Sequence, residues 1–413
     1  MKHWRFIISL LLAAAIISCD NENNSIDDVD KAEVNVNITL SIGGGGGTTR
    51  ATSIAPDDNP DIGIEGGLPY EDYIAPNDID LLVYDQNEQF VEQMNVLWLK
   101  SDYEGGSAST EEYRCYINGS LNISKADIKA GKMFHLVVLC NQRGKLKGNA
   151  DYNKWSLPDL ISSLRYNGYD NDFTESLMAG NADLNQTARI PMWGICTTRL
   201  AVGELTNVEI KVLRAMAKVR IRLADALTGY TLTGVTLKEA NMGGTLAAQS
   251  VNGIVQAYST TWDNGNKVYN TTWNNATDTP IKCASFYDGG MCGGLPFSET
   301  TENGQRFWVI YMPEHNHVTD FINGYNELGV QQQTYMELTI LDKNGKTVKF
   351  DGKLPVLHFG DYSKATNPTA AEWDVIRNEI HEYIITGIVG ADGLTTDVRV
   401  IRWFGYRHPG IVM

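Results

Sequence analysis

The residues able to do chemistry are few and scattered. Cys19 ends a short apolar run, Phe6 to Ile17, that follows Lys2 and Arg5. A positive start, an apolar stretch too short to span a bilayer and Ser18 before the cysteine describe a secretory leader with lipoprotein processing. The new N-terminal Cys19 would carry acyl chains such as palmitate. The alternative is an ordinary leader beside a chance cysteine. Arg50–Ala51 offers a second reaction, proteolysis after a single basic residue, because five glycines and two threonines precede it. Such a stretch is poorly structured and open to a protease.

Other candidates are weaker. Cys283 and Cys292 flank a glycine-rich loop and could form a disulfide. Cys115, Cys140 and Cys196 sit in or after apolar strand patterns and read as buried free thiols. Glu314-His315-Asn316-His317 invites a metal, but the two His have no distant Cys/His partners, so a loop is the better reading. Gly289 to Gly294 lacks the lysine and helix of a phosphate loop. No Gly-x-Ser-x-Gly segment occurs and no carboxylate pair stands out. No catalytic residue, metal or cofactor is therefore expected. Trp262, Tyr269 and Trp273 lie in a polar stretch, where they would stack on sugars if exposed and pack as hairpin residues if not.

The element that gives these sites meaning lies between Cys19 and Arg50. Val34, Val36, Ile38, Leu40 and Ile42 alternate strictly with Asn35, Asn37, Thr39 and Ser41. That pattern makes a strand with one buried face. Burying a large aliphatic side chain contributes roughly 1.5–3 kcal/mol, so five supply on the order of 10 kcal/mol as an upper value. An acidic tether, Asp20 to Asp28, precedes the strand. In order, the start reads as leader, lipid site, detachable strand, hinge and cleavage site. A permanent strand with Arg50 as an ordinary loop residue is the competing reading.

About 395 residues follow the leader, too many for one ordinary core, and two domains are expected. The net charge of −16 argues against nucleic acid as a partner. Six cysteines are too few for a disulfide scaffold. No later segment is apolar and long enough to cross a membrane, so the remainder reads as soluble and extracytoplasmic. Short strands alternate with Gly/Asn/Asp turns throughout, which indicates β-sandwiches. Strands are expected at Asp78 to Asp85, Phe90 to Val96, Glu112 to Leu121, Met133 to Cys140, Tyr230 to Lys238, Arg306 to Tyr311, Thr334 to Leu341, Thr347 to Phe350, Tyr383 to Val389 and Asp397 to Trp403. Val208 to Leu223 reads as two strand halves joined by a bend at Leu213 to Lys218. Asn344-Gly345 centres a hairpin turn. Leu157, Leu160, Ile161 and Leu164 mark one short helix capped by Ser156. The division reads as leader 1–18, tether and strand 19–50, and domains 51–225 and 226–413, with the boundary near Leu223 to Thr228.

Four stretches resemble the fimbrillins of Bacteroidia, the subunits of type V pili. They are the lipoprotein leader with Thr49-Arg50-Ala51; Ile79 to Asp85 with Phe90-Val91; Ile190-Pro191-Met192-Trp193-Gly194 followed by Val212 to Val219; and Arg377-Asn378 with Tyr383 to Ile388 and a closing strand to Trp403. Each is weak alone, but their order spans nearly the whole chain. The resemblance implies a mainly β chain: two tandem β-sandwich domains of transthyretin-like, Greek-key type with a few short helices. It implies a lipid-anchored precursor at the outer membrane and cleavage at Arg50–Ala51 by an extracellular arginine-specific protease. The first strand then leaves, and a strand of another pilus subunit fills its groove. Only ten residues follow Trp403 and they do not alternate cleanly, so a tip, accessory or anchor position in the fimbrium fits better than a stalk position. Adhesion to a host glycan or protein would follow. The alternatives are a stand-alone glycan-binding outer-membrane lipoprotein that does not polymerise, and a hydrolase on the same framework.

Overall fold

The computed structural model describes residues 30–42, 46–47, 50–51, 64–66, 68–101, 114–142, 151–167, 173–179, 188–240, 243–247, 259–270, 274–275, 294–302, 304–313, 334–359, 375, 377–389 and 393–404. The chain is mainly β, with four short α-helices and two β-sandwiches among these residues.

The strands that build the first sandwich are β1 (Lys31–Ile42), β2 (Ile79–Asp85), β3 (Phe90–Gln93), β4 (Asn95–Ser101), β5 (Arg114–Ser124), β6 (Met133–Cys140), β7 (Met192–Arg199) and β8 (Thr206–Arg214). One layer runs β8-β1-β5-β4. The other runs β3-β2-β6-β7. The layers meet at both flanks. Strands β3 and β4 are consecutive, bent at Met94, and the end of β8 pairs with β7 through Met192↔Arg214 and Trp193↔Leu213. The bend at Met94 needs Gly119 on β5, since a Cβ there would lie 1.9 Å from the Met94 sulfur. Strand β6 is buried at every position, as its apolar run, interrupted by His135, suits a strand covered on both faces.

Strand β8 continues through Ala215 into β9 (Met216–Leu223), which belongs to the second sandwich. By strand pairing, the residues before Ala215 join the first sandwich and those after it join the second. The second sandwich adds β10 (Thr231–Lys238), β13 (Ser298–Glu302), β14 (Gln305–Pro313), β15 (Tyr335–Leu341), β16 (Glu379–Val389) and β17 (Gly393–Phe404). One layer runs β13-β14-β9-β16-β17; the other pairs β10 with β15. Between these, β11 (Ser259–Asp263) and β12 (Asn266–Asn270) form a hairpin that docks back on the first sandwich, where Asn270 pairs with Cys196 of β7. The bent strand β8–β9 has one parallel neighbour in each sandwich, β1 in the first and β16 in the second.

The helices are α1 (Pro69–Asp72), α2 (Lys125–Lys129), α3 (Leu157–Ser163) and α4 (Phe173–Ala179). In α3 the expected Ser156 cap accepts from the Asp159 N–H at 3.3 Å, and Leu157, Leu160 and Ile161 are buried. The other three exceed the single expected helix; α1 and α2 are too short to show a helical apolar period, whereas α4 buries Phe173, Thr174 and Leu177. The turn at Asn344-Gly345 is present, with Gly345 at φ 74° and Asp342 Oδ1 accepting from the Asn344 and Lys346 N–H groups. Thr347 to Phe350 is not a continuous strand. It makes isolated bridges Leu341↔Thr347 and Phe350↔Lys353, because Asp351 and Gly352 at positive φ fold the chain straight back.

Candidate functional site

Strand β1 lies inside its layer rather than at an edge. It runs parallel to β8 from Val36↔Thr206 to Ile42↔Val212 and antiparallel to β5 from Lys31↔Ser124 to Ser41↔Arg114. Val34, Val36, Ile38, Leu40 and Ile42 are each no more than 1% exposed and join the core. Without β1, strand β5 would keep only β4 as a sheet neighbour, and a slot one strand wide would separate β5 from β8. At ~4.8 Å between neighbouring strands, that slot spans ~10 Å and exposes unpaired backbone groups on both walls.

The outward face of β1 is also bonded. Asn37 Nδ2 donates to Asn207 Oδ1 at 3.0 Å, and Ser41 Oγ donates to Glu209 Oε1 at 3.0 Å. Ser41 is fully buried although it points away from the core. Over this face lies a groove of about 510 Å³ between Leu99 and Tyr116 on one side and Asn207 and Glu209 on the other. Arg50–Ala51 forms a two-residue antiparallel pairing with Arg399 and Val400 on the outer edge of β17. Ile64–Gly66 pairs further along the same edge. The expected lipid site and cleavage site are thus on either side of β1 in sequence, with the cleavage site resting against the other sandwich.

Cys19, Cys283, Cys292, Trp273 and the Glu314 to His317 stretch lie outside the described residues, as does the Trp262 side chain. Cys115, Cys140 and Cys196 are buried, as expected, and Cys140 and Cys196 are free thiols. Burial pushes Cys196 up to about 12 and Cys140 well above the ordinary thiol value, so both stay protonated and unreactive. Tyr269 is 2% exposed and holds the β11–β12 hairpin down, which leaves it unable to stack on a sugar. Its hydroxyl donates to Glu88 Oε1 at 2.5 Å, and Lys267 Nζ reaches the same oxygen at 2.7 Å. The Tyr269 N–H donates to Thr197 Oγ1, which lies 2.8 Å from His135 Nδ1.

His135 is fully buried under that hairpin, its ring 5.0 Å from Tyr269, and its Nε2 has no hydrogen-bond partner among the described residues. Burial pushes its pKa from 6.5 down to about 4, aided by Lys267 and opposed by Glu88 and Asp85. The folded state therefore binds fewer protons here than the unfolded chain does. Stability from this group is complete above pH 6.5 and is lost as pH falls towards 4. The loss reaches about 3 kcal/mol at most. His135→Gln should remove it: urea midpoints at pH 7 and pH 4.5 should differ less for the variant than for the parent. An equal difference would place the acid sensitivity elsewhere.

A second constellation was missed by sequence reasoning. Where β8 bends into β9, Arg214, Lys218 and Arg220 are all buried. Arg214 pairs with Asp72 of α1 and donates Nη1 to Asn378 Oδ1 at 2.9 Å. Lys218 Nζ lies 2.9 Å from Glu71 Oε1 and 2.7 Å from Glu302 Oε1. Arg220 bridges Glu302 at 2.9 Å and Glu382 at 2.5 Å, and its guanidinium sits 4.5 Å from the Phe307 ring centre. The Tyr311 hydroxyl donates to Glu71, and the Leu68 N–H donates to Glu71 Oε2 at 2.6 Å. Burial alone would raise the Glu71 carboxyl, but Lys218 with these two donors holds it below its ordinary value. Burial would likewise lower Lys218, but Glu71 and Glu302 raise it. The sequence signal was present: Arg214, Lys218 and Arg220 interrupt an otherwise apolar run, and buried cations require buried acids.

No family model and no curated protein matches the chain. Solved structures do. The chain is similar to the C-terminally truncated tip fimbrial protein Mfa3 from Porphyromonas gingivalis, at 13% identity and TM-score 0.46, covering 90% of this chain and 100% of that one. It is similar to a fimbrial assembly protein from Parabacteroides distasonis, at 9% identity and TM-score 0.45, covering 90% and 98%. It is also similar to the fimbrial anchor protein Mfa2 from Porphyromonas gingivalis, at 10% identity and TM-score 0.32, covering 91% and 100%.

Proposed function

We propose that this chain is a structural, non-catalytic subunit of a type V pilus, in a tip, accessory or anchor position, serving adhesion. It is exported as an outer-membrane lipoprotein precursor acylated at Cys19. An extracellular arginine-specific protease cuts at Arg50–Ala51, and β1 is exchanged for a strand of another subunit at the cell surface. One observation carries this reading. A strand with five core aliphatics sits between two walls, and a basic residue in a glycine-rich stretch follows eight residues after it.

The physics favours exchange over release. Unseating β1 into water would forfeit on the order of 10 kcal/mol of burial plus two rows of backbone bonds, so a replacement must enter as it leaves. Among the described residues the cleavage site is held by two residues of edge pairing, which can peel away for a protease at little cost. Arg50→Ala should therefore leave an intact precursor that forms no SDS-resistant ladder after arginine-specific proteolysis, whereas the parent should ladder and begin at Ala51. A ladder from the variant would overturn the maturation step. The groove over Tyr116 and Glu209 favours a second reading, a glycan-binding lipoprotein that does not polymerise. Glycan-array binding by the uncleaved monomer, with no ladder after cleavage, would select it.

A further inference from the structure

The inward pockets of the slot accept aliphatic side chains, and apolar burial is non-directional. Any strand with alternating Val, Ile or Leu satisfies them, so they discriminate poorly between donors. Discrimination has to come from the other face. There the slot makes two directed contacts to β1, Asn207 to the Asn37 amide and Glu209 to the Ser41 hydroxyl, each at 3.0 Å. We infer that Asn207 and Glu209 read the strand that occupies the slot, selecting one that carries an amide and, four residues further on, a small hydroxyl on its outward face. The inference rests on the strand-exchange reading and names the chemistry of the partner strand within it.

The position held by Ser41 is the more selective. It is fully buried, so a larger side chain has no room. Its register neighbours are Arg114 on β5 and Lys211 on β8, so a basic residue would meet two cations. An acidic residue would meet the Glu209 carboxylate. An aliphatic or alanine residue would leave that carboxylate without its hydroxyl donor. A hydroxyl is the group that fits size, charge and bonding together. The Asn37 position is more open, and its amide–amide bond is correspondingly more exposed to competition from water.

The parallel direction against β8 and the antiparallel direction against β5 are fixed by the backbone. A donor must therefore run as β1 does, with its amide nearer its N-terminus than its hydroxyl. A donor strand of another subunit can be recognised by that order alone, before any pocket is filled.

The test uses the full chain cut after Arg50 and offered an equimolar mixture of synthetic 12-residue peptides. One has the sequence of β1, a second carries Ser41→Ala, a third Asn37→Leu, and a fourth Ile38→Asp. Captured peptides are counted by mass spectrometry. The parent peptide should exceed the Ser41→Ala peptide by roughly tenfold, the size of a hydrogen bond to a charged group. Its lead over Asn37→Leu should be smaller. In a Glu209→Gln chain the preference for Ser41 should shrink several-fold, and in Asn207→Ala the preference for Asn37 should vanish. Equal capture of the parent, Ser41→Ala and Asn37→Leu peptides, with Ile38→Asp excluded, would overturn the inference while leaving strand exchange standing. Capture of no peptide at all would overturn strand exchange, and the inference with it.

Discussion

Ile38→Asp is expected to unseat β1 from the first sandwich and to cost about 4 kcal/mol or more, while Asn37→Asp one position away costs less than about 1 kcal/mol. Ile38 is 1% exposed and lies in register between Ile117 of β5 and Val208 of β8. The change forfeits aliphatic burial and places a carboxylate between two aliphatic register neighbours. Asn37 points outward, and its partner Asn207 can turn its own amide to donate to a carboxylate. The period of two makes adjacent positions the sharpest available comparison. In the uncleaved precursor, urea midpoints should separate the variants by most of that difference. Size-exclusion chromatography should show association of the Ile38→Asp chain through its open slot. Equal behaviour of the two would mean that β1 is not held by its inward face, and strand exchange would lose its physical basis.

Much of this architecture was legible because it is local. The alternation in β1, the largely apolar run of β6, the Ser156 cap and the Asn344-Gly345 turn each depend on neighbours within a few residues, and all are present. The bend between Leu213 and Lys218 was legible for the same reason and sits at Ala215. What escaped was long-range. Asn37 and Asn207 are 170 residues apart, so the two-sided seat of β1 and its parallel partner left no mark on the local pattern. The β11–β12 hairpin looked like part of the second sandwich because its sequence neighbours are. Tyr269 is held against the first by Glu88, 181 residues away. Of the four short helices, α3 showed its apolar spacing and its cap in the sequence, and the other three did not stand out from their surroundings. The buried acids of α1 were illegible for a further reason: nothing near Glu71 and Asp72 in sequence distinguishes them from surface carboxylates, and only the cations in β8 and β9 announce that such partners must exist.

That junction gives the other large expected effect. Lys218→Met should destabilise the protein by about 3–5 kcal/mol at pH 7, because it strands the Glu71 carboxylate in a buried site while leaving Glu302 its contact with Arg220. Its pH dependence should also reverse sign. In the parent, Glu71 is held below its ordinary value of 4.5, so its contribution is present above that pH and is lost as pH falls through the folded value. In the variant, burial acts with its main opponent removed and lifts the carboxyl above its unfolded value. Stability is then retained at low pH and lost as pH rises through the folded value. The variant should be closer to the parent at pH 5 than at pH 8. Adding Glu71→Gln should recover part of the loss and flatten the difference between the two pH values, since the neutral amide needs no cation. Denaturant unfolding of the three chains at both pH values decides it. A loss below about 1 kcal/mol for Lys218→Met, or no change in pH dependence, would mean that the carboxylate has water or another cation to hand. None of the named junction contacts includes a residue of β1, so this penalty should add to that of Ile38→Asp. Additivity is what the proposed strand exchange requires of this fold: the first sandwich would surrender a strand while the corner joining it to the second stays closed.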